Sequence, residues 1–322
     1  MVIPVYNEAD YLPMCLDSLL AQDYPLSRVE ILVVDGRSDD GSRAIVGDYA
    51  SRHSAPEIRL LDNPDRLPAT ALNIGVRESR GDCVIRLDGH ATAAPDFVSK
   101  SVSHLRSTDA ACVGGTIHTV GRGRVGEAIA LAMSSPLGVG NAYFRYSREQ
   151  RDVDTVAFGA YPRTLFDKVG GFDPDLEFAE DNEFNHRVRK AGGRIVLCPD
   201  IRTYYYCRST LRGLFRQYRN YGAGRWSQGL QDPGAINLRQ TAPLLFFATL
   251  AVLAVLATKS TAAWIALPAL IGIYLSAIAG GSVWIAARNG WRHLALLPTA
   301  FMTMHVAYAL GSLRAILERI WR

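Results

Sequence analysis

Ile3-Pro4-Val5-Tyr6-Asn7-Glu8, followed by Val33-Val34-Asp35-Gly36-Arg37-Ser38-Asp39-Asp40-Gly41-Ser42, decides the fold. Each stretch is a short apolar run that breaks into acids, glycine and small polar residues, as a buried strand does where it leaves a sheet. Between them Leu12, Leu16, Leu19 and Leu20 share one helical face while Asp17 and Gln22 point elsewhere. Strand, amphipathic helix, strand is the repeating unit of a sheet covered by helices. Outward from this core, strands are expected at 2–5, 29–35, 58–61, 83–88, 112–119 and 194–198. A helix over 68–79 opens on Pro68, where a missing N–H costs nothing, and another runs from about 180 to Gly192-Gly193. The expected class is α/β, a mixed and mostly parallel sheet with helices on both faces. The chain opens directly on its first strand, so a few further strand residues are expected ahead of Met1.

Composition divides the chain. The overall hydrophobic share is 48%, but residues 1 to about 240 carry nearly all the charge, and Ala, Leu, Ile and Val dominate the rest. Two compositions in one chain imply two solvents. The stretches 241–258 and 262–287 carry no charge and are long enough to span a bilayer, with only Lys259-Ser260-Thr261 between them, so a helical hairpin is expected. A third run, 294–313, is interrupted by Pro298 and His305 and ends on Arg314. Arg239, Arg288 and Arg292 place the hairpin's ends in the cytoplasm by the positive-inside rule. A third full span would put Arg314, Arg319 and Arg322 outside, against that rule, so its topology is left open. Over 208–226, Leu211, Leu214, Phe215, Tyr218 and Tyr221 recur at helical spacing among arginines, which suits an interfacial helix. Three regions follow: a catalytic domain over 1–207, an interfacial region over 208–240 and a membrane region over 241–322.

A net charge of +4, from 35 basic and 31 acidic residues, excludes nucleic-acid binding by bulk electrostatics. Five scattered cysteines without metal-ligand spacing read as small buried hydrophobes in a reducing compartment.

Ligands of open α/β sheets bind beyond the carboxyl ends of the strands, where Glu8 and Asp35 stand ready to accept hydrogen bonds from a base and a ribose. A single acid at a strand end is more often a cap or turn residue, the role expected of Asp39, Asp40 and Ser42. Asp88-Gly89-His90 offers a carboxylate and an imidazole two residues apart, a pair suited to a divalent ion on diphosphate oxygens. Glu180-Asp181 opens a helix. Acids there usually complement the helix dipole; alternatively one of them takes the proton of an attacking hydroxyl.

Taken in order, Pro-Val-Tyr-Asn-Glu, Val-Val-Asp-Gly-x-Ser-x-Asp-Gly-Ser, Asp88-Gly89-His90 and Glu180-Asp181 resemble glycosyltransferase family 2, inverting enzymes of the GT-A fold, across residues 1 to about 226. The Asp-Gly-His, the Gly-Gly-Phe-Asp at 170–173 and the apolar tail are most similar to the succinoglycan-type glucosyltransferases of bacterial exopolysaccharide synthesis. The resemblance implies that Pro4, Tyr6, Glu8 and Asp35 line a nucleoside pocket and that Arg66 and Asn73 help hold the donor. Asp88 would meet ribose or metal, His90 would take the second metal position, and Asp181 would be the base. Mn2+ or Mg2+ is the implied cofactor, a nucleotide-diphosphate sugar (UDP favoured) the donor, and a lipid-linked saccharide the acceptor. The implied setting is the cytoplasmic face of a bacterial inner membrane, with glucose the sugar the subgroup suggests. Glu180, Gln217, Arg225 and Trp226 are assigned to the acceptor or product region, although Gln217 and Arg225-Trp226 depart from the Gln-x-x-Arg-Trp spacing of processive relatives. Gly36 also stands where a second acid is common. The alternatives are a polyprenyl-phosphate sugar synthase, a processive polysaccharide synthase or, from another class, a non-catalytic membrane scaffold.

Overall fold

The computed structural model describes residues 1–321; Arg322, the last of the terminal arginines weighed above, lies outside the described residues. In chain order it begins β1 (Val2–Val5), α1 (Leu12–Leu20), β2 (Glu30–Asp35), α2 (Ser42–Arg52), β3 (Glu57–Asp62), α3 (Pro68–Glu78) and β4 (Cys83–Ile85). There follow β5 (Ala91–Ala93), α4 (Phe97–Ser107), β6 (Cys112–Val120), α5 (Gly123–Met133), α6 (Pro136–Val139), β7 (Arg151–Asp152) and β8 (Ala160–Pro162). The rest is α7 (Arg163–Val169), α8 (Glu180–Lys190), β9 (Ile195–Tyr206), α9 (Leu211–Gln231), α10 (Leu238–Leu256), α11 (Thr261–Asn289) and α12 (Leu297–Ile320).

Two compact units form. The first comprises Met1–His118 and Ala142–Tyr206, the second Thr119–Asn141 and Cys207–Arg322. The chain therefore does not divide at one point near residue 207. The excursion 119–141 has a physical cause in α5, whose Ala128, Ile129, Ala132 and Met133 are buried among the apolar helices of the second unit.

In the first unit β1, β2 and β3 pair in parallel, with Val2 opposite Leu32 and Val5 opposite Asp35. Ile31 to Val34 are fully buried, as expected of a parallel strand covered on both faces. The other strands form a second sheet in the order β4-β8-β6-β9-β5, with β7 on β9 and antiparallel pairing of β4 with β8 and β5 with β9. A parallel bridge from Val2 to Arg86 joins the two sheets. The fourth strand is shorter than expected because the Ala91 amide donates to the Asp88 carbonyl at 3.0 Å, closing a turn over 88–91. The last strand is longer: beyond Pro199 it still alternates buried Ile201, Thr203 and Tyr205 with exposed neighbours. The proline hides that continuation from a propensity reading.

Helix α8 is anchored by an aromatic cluster. Phe184, fully buried, stacks on Phe172 at 4.5 Å and on Phe166 at 5.1 Å between ring centroids. Burial of such a side chain is worth about 1.5–3 kcal/mol. The acidic start of the helix thereby acquires a fixed origin.

Among the described residues of the second unit, three helices are long and apolar enough to cross a membrane. They differ in company. The apolar window of α10 is 0% buried and that of α11 11%, whereas that of α12 is 44% buried. Helix α12 packs on α9 backbone to backbone: a Cβ on Gly222 would stand 2.1 Å from the Tyr308 carbonyl, and one on Gly311 1.9 Å from that of Arg219. His305 of α12 approaches the Leu137 carbonyl at 2.8 Å and the Tyr274 hydroxyl at 3.1 Å. All five cysteines are free; four are buried and Cys83 is partly so.

Candidate active site

The loop after β1 and the loop after β2 are knitted into one rim. The Asn7 amide donates to Ser38 Oγ at 2.8 Å and its side-chain Nδ2 to Asp39 Oδ1 at 3.0 Å, while the Asp39 amide donates back to Asn7 Oδ1 at 3.1 Å. The Glu8 amide donates to Ser42 Oγ at 3.0 Å and the Ala9 amide to Asp40 Oδ2 at 2.9 Å. Burial pushes the Asp40 carboxyl up, but the donors from Ser42 and Ala9 more than offset it and hold the group below its usual range. Asp39, Asp40 and Ser42 thus shape the rim, the turn role expected of them.

The donor-site candidates lie in and around this rim. Tyr6 is half exposed, and the Arg66 guanidinium lies 5.5 Å from the centre of its ring. Pro4 sits within β1, opposite Val34. Asp35 is 1% exposed and already accepts from the Ser38 amide at 3.0 Å, from Ser38 Oγ at 2.6 Å and from Arg43 at 3.0 Å. Its carboxylate therefore organises the turn after β2. Asn73 is engaged elsewhere: its Nδ2 donates to the Phe172 carbonyl and its Oδ1 accepts from the Phe172 amide, both at 2.7 Å. That clip fixes the Gly-Gly-Phe loop, which Arg187 also holds through the Gly171 carbonyl at 2.6 Å. In this structure Asn73 serves the loop, a different partner from the donor that the resemblance implies.

Asp88, Gly89 and His90 occupy the turn between β4 and β5. A Cβ on Gly89 would meet Val5 at 3.1 Å and Glu8 at 3.4 Å, so glycine lets this turn close on the β1 rim. The His90 Nδ1 lies 2.8 Å from Glu8 Oε1, and its ring meets Tyr205 edge-on at 5.1 Å. A carboxylate on Nδ1 orients the imidazole ring, as the second-sphere partners of metal-binding histidines do. Asp88 accepts from Arg86 Nε through Oδ1 at 3.1 Å, and Oδ2 lies outside that bond. Among the described residues no three His, Cys, Asp or Glu side chains form a metal cage. A divalent ion on a nucleotide takes one or two protein ligands beside diphosphate and water, and Asp88 and His90 are the two side chains of this turn with the chemistry to supply them.

Arg86 was absent from the expectations. It is largely buried, and besides Asp88 it meets Glu180 Oε1 at 2.8 Å through Nη1, off the hydrogen-bond axis. Burial opposes the Arg86 charge, yet Asp88 and Glu180 hold its pKa well above the ordinary arginine value. Burial also pushes the Glu180 carboxyl up, against the pull of Arg86 and with the help of the Asp181 charge. Next to it the Asp181 Oδ1 accepts from the amide and side chain of Asn182 at 2.8 and 2.9 Å. One guanidinium therefore ties the Asp88 turn to the start of α8. The signal available in the sequence was an arginine inside the apolar run Cys83-Val84-Ile85-Arg86-Leu87, where an unpaired charge is too costly to bury.

Four residues around this site adopt left-handed backbone conformations without being glycine: Asn7, Arg37, Arg66 and Ala179, with φ of 55°, 60°, 62° and 63°. Strain of about 1–3 kcal/mol per such residue persists where surrounding contacts impose it, as they do at binding sites. Gln217, Arg225 and Trp226 lie on α9 in the second unit. There Gln217 donates to the Tyr221 hydroxyl at 2.9 Å, and buried Arg225 bonds the Ala235 carbonyl at 3.3 Å.

The model of glycosyl transferase family 2 matches residues 1–170. The succinoglycan biosynthesis protein ExoA of Rhizobium meliloti is 33% identical over 322 residues, covering 99% of this chain and 94% of that protein. A dolichyl N-acetyl-alpha-D-glucosaminyl phosphate 3-beta-D-2,3-diacetamido-2,3-dideoxy-beta-D-glucuronosyltransferase of Methanococcus voltae is 29% identical, over 70% of this chain and 72% of its own. Among solved structures, the mannosyltransferase PcManGT of Pyrobaculum calidifontis, in complex with GDP-Man and Mn2+, superposes with a TM-score of 0.66 at 21% identity. That superposition covers 98% of this chain and 86% of the mannosyltransferase. S. aureus TarS 1-349 with UDP-GlcNAc gives a TM-score of 0.55 at 15% identity, over 98% and 90% of the two chains. At these identities the structural likeness establishes the fold, which is GT-A.

Proposed function

The chain belongs to glycosyl transferase family 2, and on that premise we propose that it moves a sugar, with inversion, from a nucleotide-diphosphate donor to a lipid-linked saccharide. The reading is carried by one observation: Arg86 binds Asp88 of the donor turn and Glu180 beside Asp181, so the segments expected to hold donor and base share a single ion-pair chain.

The acceptor hydroxyl loses its proton to the Asp181 carboxylate as its oxygen attacks the anomeric carbon. On the opposite face the bond from that carbon to the diphosphate oxygen breaks, and the electron pair leaves with the nucleoside diphosphate. Tyr6 and Arg66 offer a ring face and a cation to the nucleotide, and Glu8 fixes the imidazole of His90. A divalent ion, Mn2+ or Mg2+, would be held by Asp88 and His90 and would supply charge neutralisation for the departing diphosphate.

The apolar outer faces of α10 and α11 suit a spanning hairpin, and α9 and α12, packed together, suit the cytoplasmic membrane–water boundary. Donor specificity for UDP follows only from the resemblance. The relative from Methanococcus voltae acts on a lipid-linked phosphate saccharide, and the similarity to ExoA favours exopolysaccharide synthesis.

Asp181→Asn is the direct test, because it keeps the shape and the acceptor of the Asn182 hydrogen bonds but removes the base. Transfer to a lipid-linked acceptor should fall by about 100-fold or more while nucleotide binding persists. Transfer surviving near the parent rate would overturn the assignment of the base.

A further inference from the structure

We propose that Arg86 is a positioning residue that couples donor binding at Asp88 to the placement of the base-bearing turn at Glu180-Asp181; this rests on the donor and base roles proposed above. Arg86 touches neither reacting atom. Its planar fork reaches Asp88 Oδ1 through Nε at 3.1 Å and Glu180 Oε1 through Nη1 at 2.8 Å. Glu180 is 6% exposed, so its carboxylate has no water shell to fall back on when the guanidinium shifts. The residue before it, Ala179, is held in the left-handed region at φ 63°, so the helix start is set by contacts rather than by local preference.

The consequence is a shared cation. A donor that engages the Asp88 carboxylate, through its ribose hydroxyls or the divalent ion it carries, weakens the hold of Asp88 on Arg86 and leaves Arg86 more fully to Glu180. The base-bearing turn is then clamped most firmly when the donor is in place. The reverse follows by reciprocity: removing the Glu180 charge gives Arg86 wholly to Asp88 and makes Asp88 a poorer donor ligand. Lysine cannot reproduce this, since one ammonium lacks the rigid fork that holds two carboxylates at once.

The test is a double-substitution cycle on nucleotide affinity, read by calorimetric titration of UDP and of GDP, each with Mn2+, into the full chain in detergent. In the parent, Glu180→Gln should weaken binding by about fivefold, and in an Arg86→Lys background by less than about twofold. Where Arg86→Lys does not fold, Arg86→Gln serves as the second background. Equal losses in both backgrounds overturn the coupling, as does a Glu180→Gln protein that binds as the parent does. Binding of neither nucleotide by the parent removes the donor role of Asp88 and the coupling with it. Transfer that survives Asp181→Asn while the cycle stays non-additive refutes only the base, whereas an additive cycle in a protein that Asp181→Asn inactivates refutes only the coupling.

Discussion

At the scale of single residues, the candidate site holds backbone and side chains in positions that surrounding contacts impose. Ala179 is the sharpest case, since glycine would adopt φ 63° freely and alanine does so only under constraint. Ala179→Gly relieves strain of about 1 kcal/mol or more but adds a comparable entropy to the unfolded chain. The melting temperature should therefore move by less than about 2–4 °C. The turnover number should drop severalfold, because the start of α8 gains freedom. Steady-state kinetics beside a thermal melt check this, and an unaltered turnover number would show that the strain does not serve the base. Asp88, His90 and Asp181 stand out in the sequence because acids and imidazoles at strand and helix ends announce themselves, and the structure places the first two in the turn after β4 and the third at the start of α8. The engagements of Asp35 and Asn73 were not, since their partners, Arg43 and the Phe172 backbone, are chosen by the tertiary fold.

At the scale of elements, periodicity carried most of the information. The bounds of β1, β2 and α3 follow from apolar spacing and from Pro68, and the alternation after Pro199 was masked by one breaker residue. The short β5, β7 and β8 were invisible because two or three residues carry no period of their own. Helix α12 shows a different limit: its length and apolar content permit a span and leave its topology open, while its Gly311 marks a surface reserved for α9. Gly311→Leu forces a side chain into the Arg219 carbonyl, a clash that no rotamer relieves. It should lower the melting temperature of the detergent-solubilised protein by at least about 5 °C and yield α9 to limited proteolysis, whereas the same change at Gly272, which has open space, should do neither.

At the scale of the molecule, two solvents were legible and the path of the chain between them was not. With α10 and α11 as a hairpin and α12 at the boundary, Arg314 and Arg319 share the side of Arg239 and Arg292, in keeping with the positive-inside rule. Reporter fusions at the C-terminus should then be active as cytoplasmic reporters, and a phosphatase that works only outside the membrane should stay silent there; the opposite pair of results would make α12 a third span. The excursion through 119–141 has a consequence for how such enzymes diversify. The chain passes between its two units at 118–119, 141–142 and 206–207, so a single crossover at the last of these cannot exchange one membrane half for another. It would deliver new helices while leaving behind an inherited apolar segment fitted to the old ones. Lineages that trade anchors must trade both segments together, and in this architecture the membrane half and the stretch 119–141 are one heritable character.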